Sequence, residues 1–256
     1  MDDKLTEIIV ITDRSGSMDE VKADTIGGFN TFLKGQQELK EGRCLLTYCQ
    51  FDTVYEVVHE ALPIEEMKPL DEKTFVPRGG TALLDAVGKT IDEVGARLAK
   101  IPEAKRPGNV VVVIMTDGEE NSSSDKYKNG KLKEMVKRQA ADYDWTFIFL
   151  GQNIDAFAEG DAIGFSNQNT HMFVGNVSDG GTGVRHAYMA ANAAVGGTRK
   201  KVARGLSKDF MTQEREVYTS ALVGDEDALD NLSSSSDLVT PSSTTDSTGS
   251  SGSDSL

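Results

Sequence analysis

The chain has 256 residues, with 41 acidic against 27 basic side chains and a formal net charge of −14. That charge argues against nucleic acid as the main partner, because phosphate recognition needs a basic footprint, and it disfavours an anionic membrane surface. The length and a hydrophobic content of 38% suffice for one large α/β domain with some segments left outside its core.

No apolar run is long enough to span a bilayer. The opening residues Met1, Asp2, Asp3 and Lys4 are acidic and lack the apolar stretch of a signal peptide. Cys44 and Cys49 are the only cysteines. On one strand their Cα atoms would lie about 16 Å apart, too far for a disulfide, and their side chains would point to opposite faces. Free thiols predict an intracellular, cytoplasmic protein.

The first element is an apolar run, Ile8, Ile9, Val10 and Ile11, which predicts a buried strand ending in Asp13. Asp13, Ser15 and Ser17 follow as Asp-x-Ser-x-Ser. One carboxylate and two hydroxyls offer hard oxygen donors, suited to Mg²⁺, Ca²⁺ or Mn²⁺. The plain alternative is a polar turn in which Ser17 caps the next helix. That helix is predicted from about Glu20 to Leu39, on the spacing of Ile26, Phe29 and Leu33.

Cys44 to Phe51 predicts a second strand and Val54 to Leu62 a third, joined by a turn at Asp52 and Thr53 as an antiparallel hairpin. The alternation of Val54, Glu56, Val58 and Glu60 suits a half-exposed edge. After an irregular stretch, a Gly-rich turn at Gly79, Gly80 and Thr81 leads into a second helix. Its stripe is Leu84, Val87, Ile91, Val94 and Leu98, and Pro102 ends it. Asn109 to Thr116 reads as a central strand, apolar on both faces, ending at Asp117. A third helix follows around Leu132, Met135, Val136 and Ala140. Then come a strand at Trp145 to Leu150, a short helix at Ile154 to Ile163, a strand at Thr170 to Val174, and a last helix from Gly180 to about Arg204. The cations Arg199, Lys200, Lys201 and Arg204 at its end suit the helix dipole.

This divides the chain into a domain over residues 1–205, an extension over 206–223 that reads as either a helix or a strap, and a tail over 224–256. The tail is rich in Ser, Thr and Asp. It holds seven acids and no Lys or Arg, so it is predicted to be a disordered acidic segment.

Strand–helix alternation predicts a Rossmann-like, doubly wound three-layer α/β fold. Its six-stranded sheet is mainly parallel with one antiparallel edge strand, in the order 3-2-1-4-5-6. Strands 1 and 4 then lie side by side with their connections leaving in opposite directions. Asp13, Ser15, Ser17 and Asp117 share the resulting crevice, and Thr81 can reach it; Thr81 can also be read simply as the N-cap of its helix.

With these residues the chain resembles the von Willebrand factor A domain family over roughly Lys4 to Ala203. Asp13, Ser15 and Ser17 match the D-x-S-x-S of the family's metal-ion-dependent adhesion site, Thr81 its later Thr and Asp117 its later Asp. Arg14 and Met18 fit the common form D-x-S-G-S-M. The usual Pro after the Thr is Ala82 here. The resemblance implies a divalent ion, Mg²⁺ or else Mn²⁺ or Ca²⁺, contacted by the serines with or without the threonine. The acids often act through water. One position is left for an Asp or Glu of a partner protein, and binding occurs without catalysis. Lacking cysteine pairs and a signal, the chain looks more like the intracellular bacterial and phage members.

Other readings are weaker. A phosphohydrolase of haloacid-dehalogenase type would use Asp13 as nucleophile, but it wants a second Asp where Ser15 stands. No G-x-G-x-x-G follows the first strand, which speaks against a dinucleotide site. His59, His171 and His186 have no evident route to Ser15 for a serine hydrolase. Glu119 and Glu120 could add a general base beside Asp117, though they read better as a solvated loop.

Overall fold

The computed structural model describes residues 1–117, 120–151, 163, 170–174 and 182–204. The short helix expected at residues 154–163 falls outside them, apart from Ile163, as do the extension over 206–223 and the tail over 224–256. Among the described residues no helix is long and apolar enough to cross a membrane.

Among the described residues six strands form one sheet: β1 (Asp2–Asp13), β2 (Arg43–Phe51), β3 (Tyr55–Pro63), β4 (Pro107–Thr116), β5 (Thr146–Gly151) and β6 (Thr170–Val174). Their spatial order is β3-β2-β1-β4-β5-β6, as the strand–helix alternation predicts. All neighbours pair in parallel except β2 and β3. The helices are α1 (Lys22–Glu38), α2 (Leu83–Lys100), α3 (Lys131–Tyr143) and α4 (Thr182–Ala203).

The period of two along β1 sends its side chains into two separate cores. Ile8 and Val10 pack with Phe29, Phe32 and Leu33 of α1 and with Val184, Tyr188 and Val195 of α4. Ile9 and Ile11 pack with Val87, Ile91 and Val94 of α2 and with Leu132 and Val136 of α3. β4 divides in the same way, which is why Val110 to Met115 is apolar without interruption. Each such side chain, fully buried, contributes about 1.5–3 kcal/mol. Cys44 and Cys49 are free thiols and lie in different cores, on opposite faces of β2.

β1 begins six residues earlier than its apolar run. Glu7 is fully buried there, and its carboxylate accepts hydrogen bonds from Thr47 (2.7 Å) and from Arg97 of α2. A charge so placed persists because it is paired. β3 is the edge, with every residue at least partly exposed. Register shifts against β2 and a positive φ at Ala61 (47°) bend it, a common protection of an open edge. Arg199 is no solvated cation at the end of α4. It is buried, and it donates to the backbone oxygen of Gln36 (2.6 Å) and to its Oε1 (3.0 Å), tying α4 to α1.

Candidate metal centre

β1 and β4 run in register side by side, Thr12 opposite Met115, so Asp13 and Thr116 finish together at the carboxyl edge of the sheet. From that edge the chain leaves β1 towards α1 on one face and β4 towards α3 on the other. The crevice between these departures is where ligands bind in open α/β sheets.

Asp13 is fully buried. Its Oδ1 accepts from the backbone N–H of Ser15 (2.7 Å) and its Oδ2 from the hydroxyl of Thr116 (2.6 Å). The first bond turns the chain sharply into a short 3-10 turn, Gly16–Asp19. That turn brings the Ser15 and Ser17 hydroxyls to 3.1 Å from each other, and Ser17 Oγ donates to Asp117 Oδ1 at 2.9 Å. Ser17 caps no helix: α1 begins after Val21, without a side-chain cap.

The third loop is held by the backbone. Gly16 N–H donates to Gly79 O (3.0 Å), Arg78 N–H to Arg14 O (2.7 Å) and Ala82 N–H to Asp52 O (3.0 Å). Gly79 has φ +70°, a conformation that favours glycine. A Cβ on Gly80 would stand 2.4 Å from Ser122 Oγ and 2.8 Å from Asn121 Oδ1, so a larger residue would have to displace these side chains of the loop after β4. Thr81 is buried between these loops. Its N–H donates to Asn121 Oδ1 (2.9 Å), and its carbonyl accepts from the N–H groups of Asn121 (3.0 Å) and Ser122 (3.1 Å). Four of the five motif residues thus form one hydrogen-bonded group. Thr81 reaches the same edge through backbone bonds.

Thr81 is not a helix cap. The N-cap of α2 is Ala82, without a side-chain bond. The free N–H groups of the first turn are instead taken from a distance: Leu84 donates to Glu120 Oε2 (3.0 Å) and Asp85 to Ser123 Oγ (3.0 Å). Glu120 also accepts from the N–H groups of Ser122 (2.9 Å) and Ser123 (2.7 Å). It is therefore neither a general base nor a solvated loop residue. It is a clamp between the loop after β4 and α2. Glu119 lies outside the described residues.

Arg14, the variable position of the motif, is buried under the loops. It donates to Asp52 Oδ2 (2.9 Å), Gln50 Oε1 (3.0 Å) and Glu56 Oε2 (2.8 Å). Asp52 also accepts from Arg78 Nε (2.9 Å). Sequence reading missed this network, because Asp52 looked like an ordinary turn residue and nothing local announces a bond spanning 38 positions.

The electrostatics favour a cation. Burial pushes the Asp13 carboxyl up to about 7, against the hydrogen bonds from Thr116 and Ser15, and the Asp117 carboxylate adds to the rise. Asp117 is also raised, mainly by burial, although Ser17 opposes the shift. Two acids that resist ionisation side by side would be relieved by a positive ion. The spacing agrees. Adjacent ligands of a Mg²⁺ octahedron with bonds of about 2.1 Å stand roughly 3.0 Å apart, close to the distances of both oxygen pairs. An ion can then replace these hydrogen bonds with little movement. Among the described residues no cluster of three or more His, Cys, Asp or Glu side chains could hold a metal. The donor set here is hydroxyl-rich, which suits a hard ion and poorly suits zinc.

No protein-family model matches the sequence, and no curated protein matches it significantly. Solved structures do. The PilB minor pilin from Streptococcus sanguinis is similar at 10% identity and TM-score 0.55, over 75% of this chain and 61% of the pilin. A von Willebrand factor type A protein from Catenulispora acidiphila is similar at 14% identity and TM-score 0.49, over 77% of this chain and 42% of that one. The manganese-loaded TRAP protein of Plasmodium vivax is similar at 15% identity and TM-score 0.49, over 73% and 75%. The chain thus spans about three fifths of the pilin and less of the Catenulispora protein. At such identities the likeness shows architecture alone: the chain has a Rossmann-like, doubly wound α/β fold.

Proposed function

We propose that this chain is a divalent-metal-dependent protein interaction module of von Willebrand factor A type. Ser15, Ser17, Thr81, Asp13 and Asp117 would hold the ion, Mg²⁺ or else Mn²⁺ or Ca²⁺. The carrying observation is the hydrogen-bonded line of Ser15, Ser17 and Asp117 at the switch-point edge. A bound ion supplies an electrophilic position for an anionic oxygen. Three neutral hydroxyls leave much of its charge uncompensated, and Ser17 is exposed, so an Asp or Glu of a partner protein can reach it. The chain's own residues orient and do not react: Asp13 fixes the Ser15 turn, and Asp117 and Ser17 fix each other. We infer a cytoplasmic, intracellular partner from the free buried thiols, and an origin among bacterial or phage proteins from the resemblance to those members of the family.

The alternative, a phosphohydrolase with Asp13 as nucleophile, is the less favoured reading: Asp13 is fully buried and both its oxygens accept hydrogen bonds, which suits a carboxylate that orients the site better than one that attacks a phosphate.

Titration calorimetry with Mg²⁺ or Mn²⁺ tests the site. One ion should bind the wild type and none the Asp13→Ala, Asp117→Ala double variant. Ion at roughly 100 times Kd should add about 2.7 kcal/mol of stability. Peptides carrying a single Asp should bind only with the ion present, and Ser15→Ala or Thr81→Ala should abolish that binding while the fold survives. Equal ion binding by wild type and double variant would sink the proposal.

A further inference from the structure

Beside the metal centre stands a cation that the ion-binding residues do not use. The side chain of Arg78 is 59% exposed although its Nε donates to Asp52 Oδ2, itself almost wholly buried. Asp52 is held in turn by Arg14. The guanidinium is therefore anchored at one nitrogen, and its two terminal nitrogens have no partner among the described residues. Its place is set by the loop that carries Thr81, since Arg78 N–H donates to the carbonyl of Arg14, next to Asp13 and Ser15. The chain as a whole is strongly acidic. Arg14 and Arg78 are matched there by Asp52 and Glu56, so the cluster carries no net charge; what the site offers is a pre-oriented guanidinium fork, and such a fork recognises a carboxylate through two parallel hydrogen bonds. Val54 and Val76 are exposed on the two loops joined by Asp52 and Arg78.

We propose that Arg78 is a specificity-determining residue of this surface, and that the partner it fits is an acidic peptide segment with two carboxylates, one for the metal position and one for Arg78. The proposal rests on the metal reading above. Orientation by Asp52 removes part of the ordering entropy that a free surface arginine would lose on binding. Arginine gives direction as well as charge, so the second carboxylate must stand at a fixed distance from the first.

The test uses the full chain with saturating Mn²⁺. The probes are blocked peptides with two Asp residues separated by zero to three glycines, and matched peptides with the second Asp replaced by Asn. Affinities are read by fluorescence anisotropy. In the wild type the best di-acid should bind about tenfold tighter than its mono-acid match, the size expected for one charge-assisted pair, and one spacing should be preferred. In Arg78→Gln that ratio should fall to about one. Arg78→Lys should restore part of the ratio without the spacing preference, since it supplies a point charge. Mn²⁺ affinity is measured alongside, so that a collapsed site registers as lost ion binding. A wild type that binds mono-acid and di-acid peptides equally overturns the role of Arg78 and leaves the metal reading standing. So does a tenfold preference that survives in Arg78→Gln. Failure of every peptide to bind in the presence of Mn²⁺ overturns both.

Discussion

Asp13 is the residue where burial, hydrogen bonding and charge act most directly against one another. Burial raises its carboxyl to about 7, so over part of the ordinary pH range the metal-free protein holds it protonated. A raised carboxyl contributes stability that is fully present below its unfolded value, near 4, and that is lost as pH rises through the folded value, near 7. An ion requires the carboxylate, and binding must then expel the proton. Metal affinity is expected to fall as pH drops below 7. Calorimetry at pH 6 in buffers of different ionisation enthalpy should register about one proton released per ion, and markedly less in Asp13→Asn. Identical proton release from the variant would show that Asp13 does not titrate on binding. Asp13, Ser15, Ser17 and Asp117 were legible in the sequence because each ends or follows a strand whose apolar run is plain. Glu120 and Asp52 were not, since their roles depend on loops far away in the chain. A clamp made by tertiary contact leaves no periodicity to read.

At the scale of elements, α1 and α4 pack closely because α1 carries glycines on the contact face. A Cβ on Gly28 would lie 2.6 Å from Cδ2 of Tyr188, a ring that is fully buried and has no room to withdraw. Gly28→Ala should therefore cost about 1–3 kcal/mol through overpacking. Gly95, inside α2, would meet nothing within 4 Å. There the same substitution should gain roughly 0.4–1 kcal/mol by restricting the unfolded chain. Urea unfolding of the two variants reads both, and the opposite signs are the test: two losses or two gains would show that helix packing is not the deciding term. The close contact of Gly28 is with α4, which only the three-layer arrangement reveals. The helix and strand bounds were legible to within a few residues where apolar periodicity was strong, as in α2 and β4. They were less so for β1, because Thr6 and Glu7 are polar residues buried by partners far away in the chain, Asn109 on β4 for Thr6 and Thr47 on β2 and Arg97 on α2 for Glu7.

The whole molecule carries −14, half of it on the seven acids after Gly224, yet it is proposed to bind a negatively charged segment. Long-range electrostatics then oppose the encounter, and only the ion and Arg78 attract at short range. Exposed charges further apart than the Debye length, about 10 Å at 0.1 M salt, are largely screened. Raising salt should therefore remove the long-range repulsion before it weakens the contact at the metal. The association rate of a di-acid peptide is expected to increase between about 10 mM and 150 mM salt, while dissociation changes little. Deleting residues 224–256 should flatten the salt dependence, because half of the repelling charge leaves with them. Stopped-flow anisotropy on both chains measures this. A rate that falls steeply with salt would mean that the peptide is steered in by a basic surface, and the attraction would then have to be sought away from the metal edge.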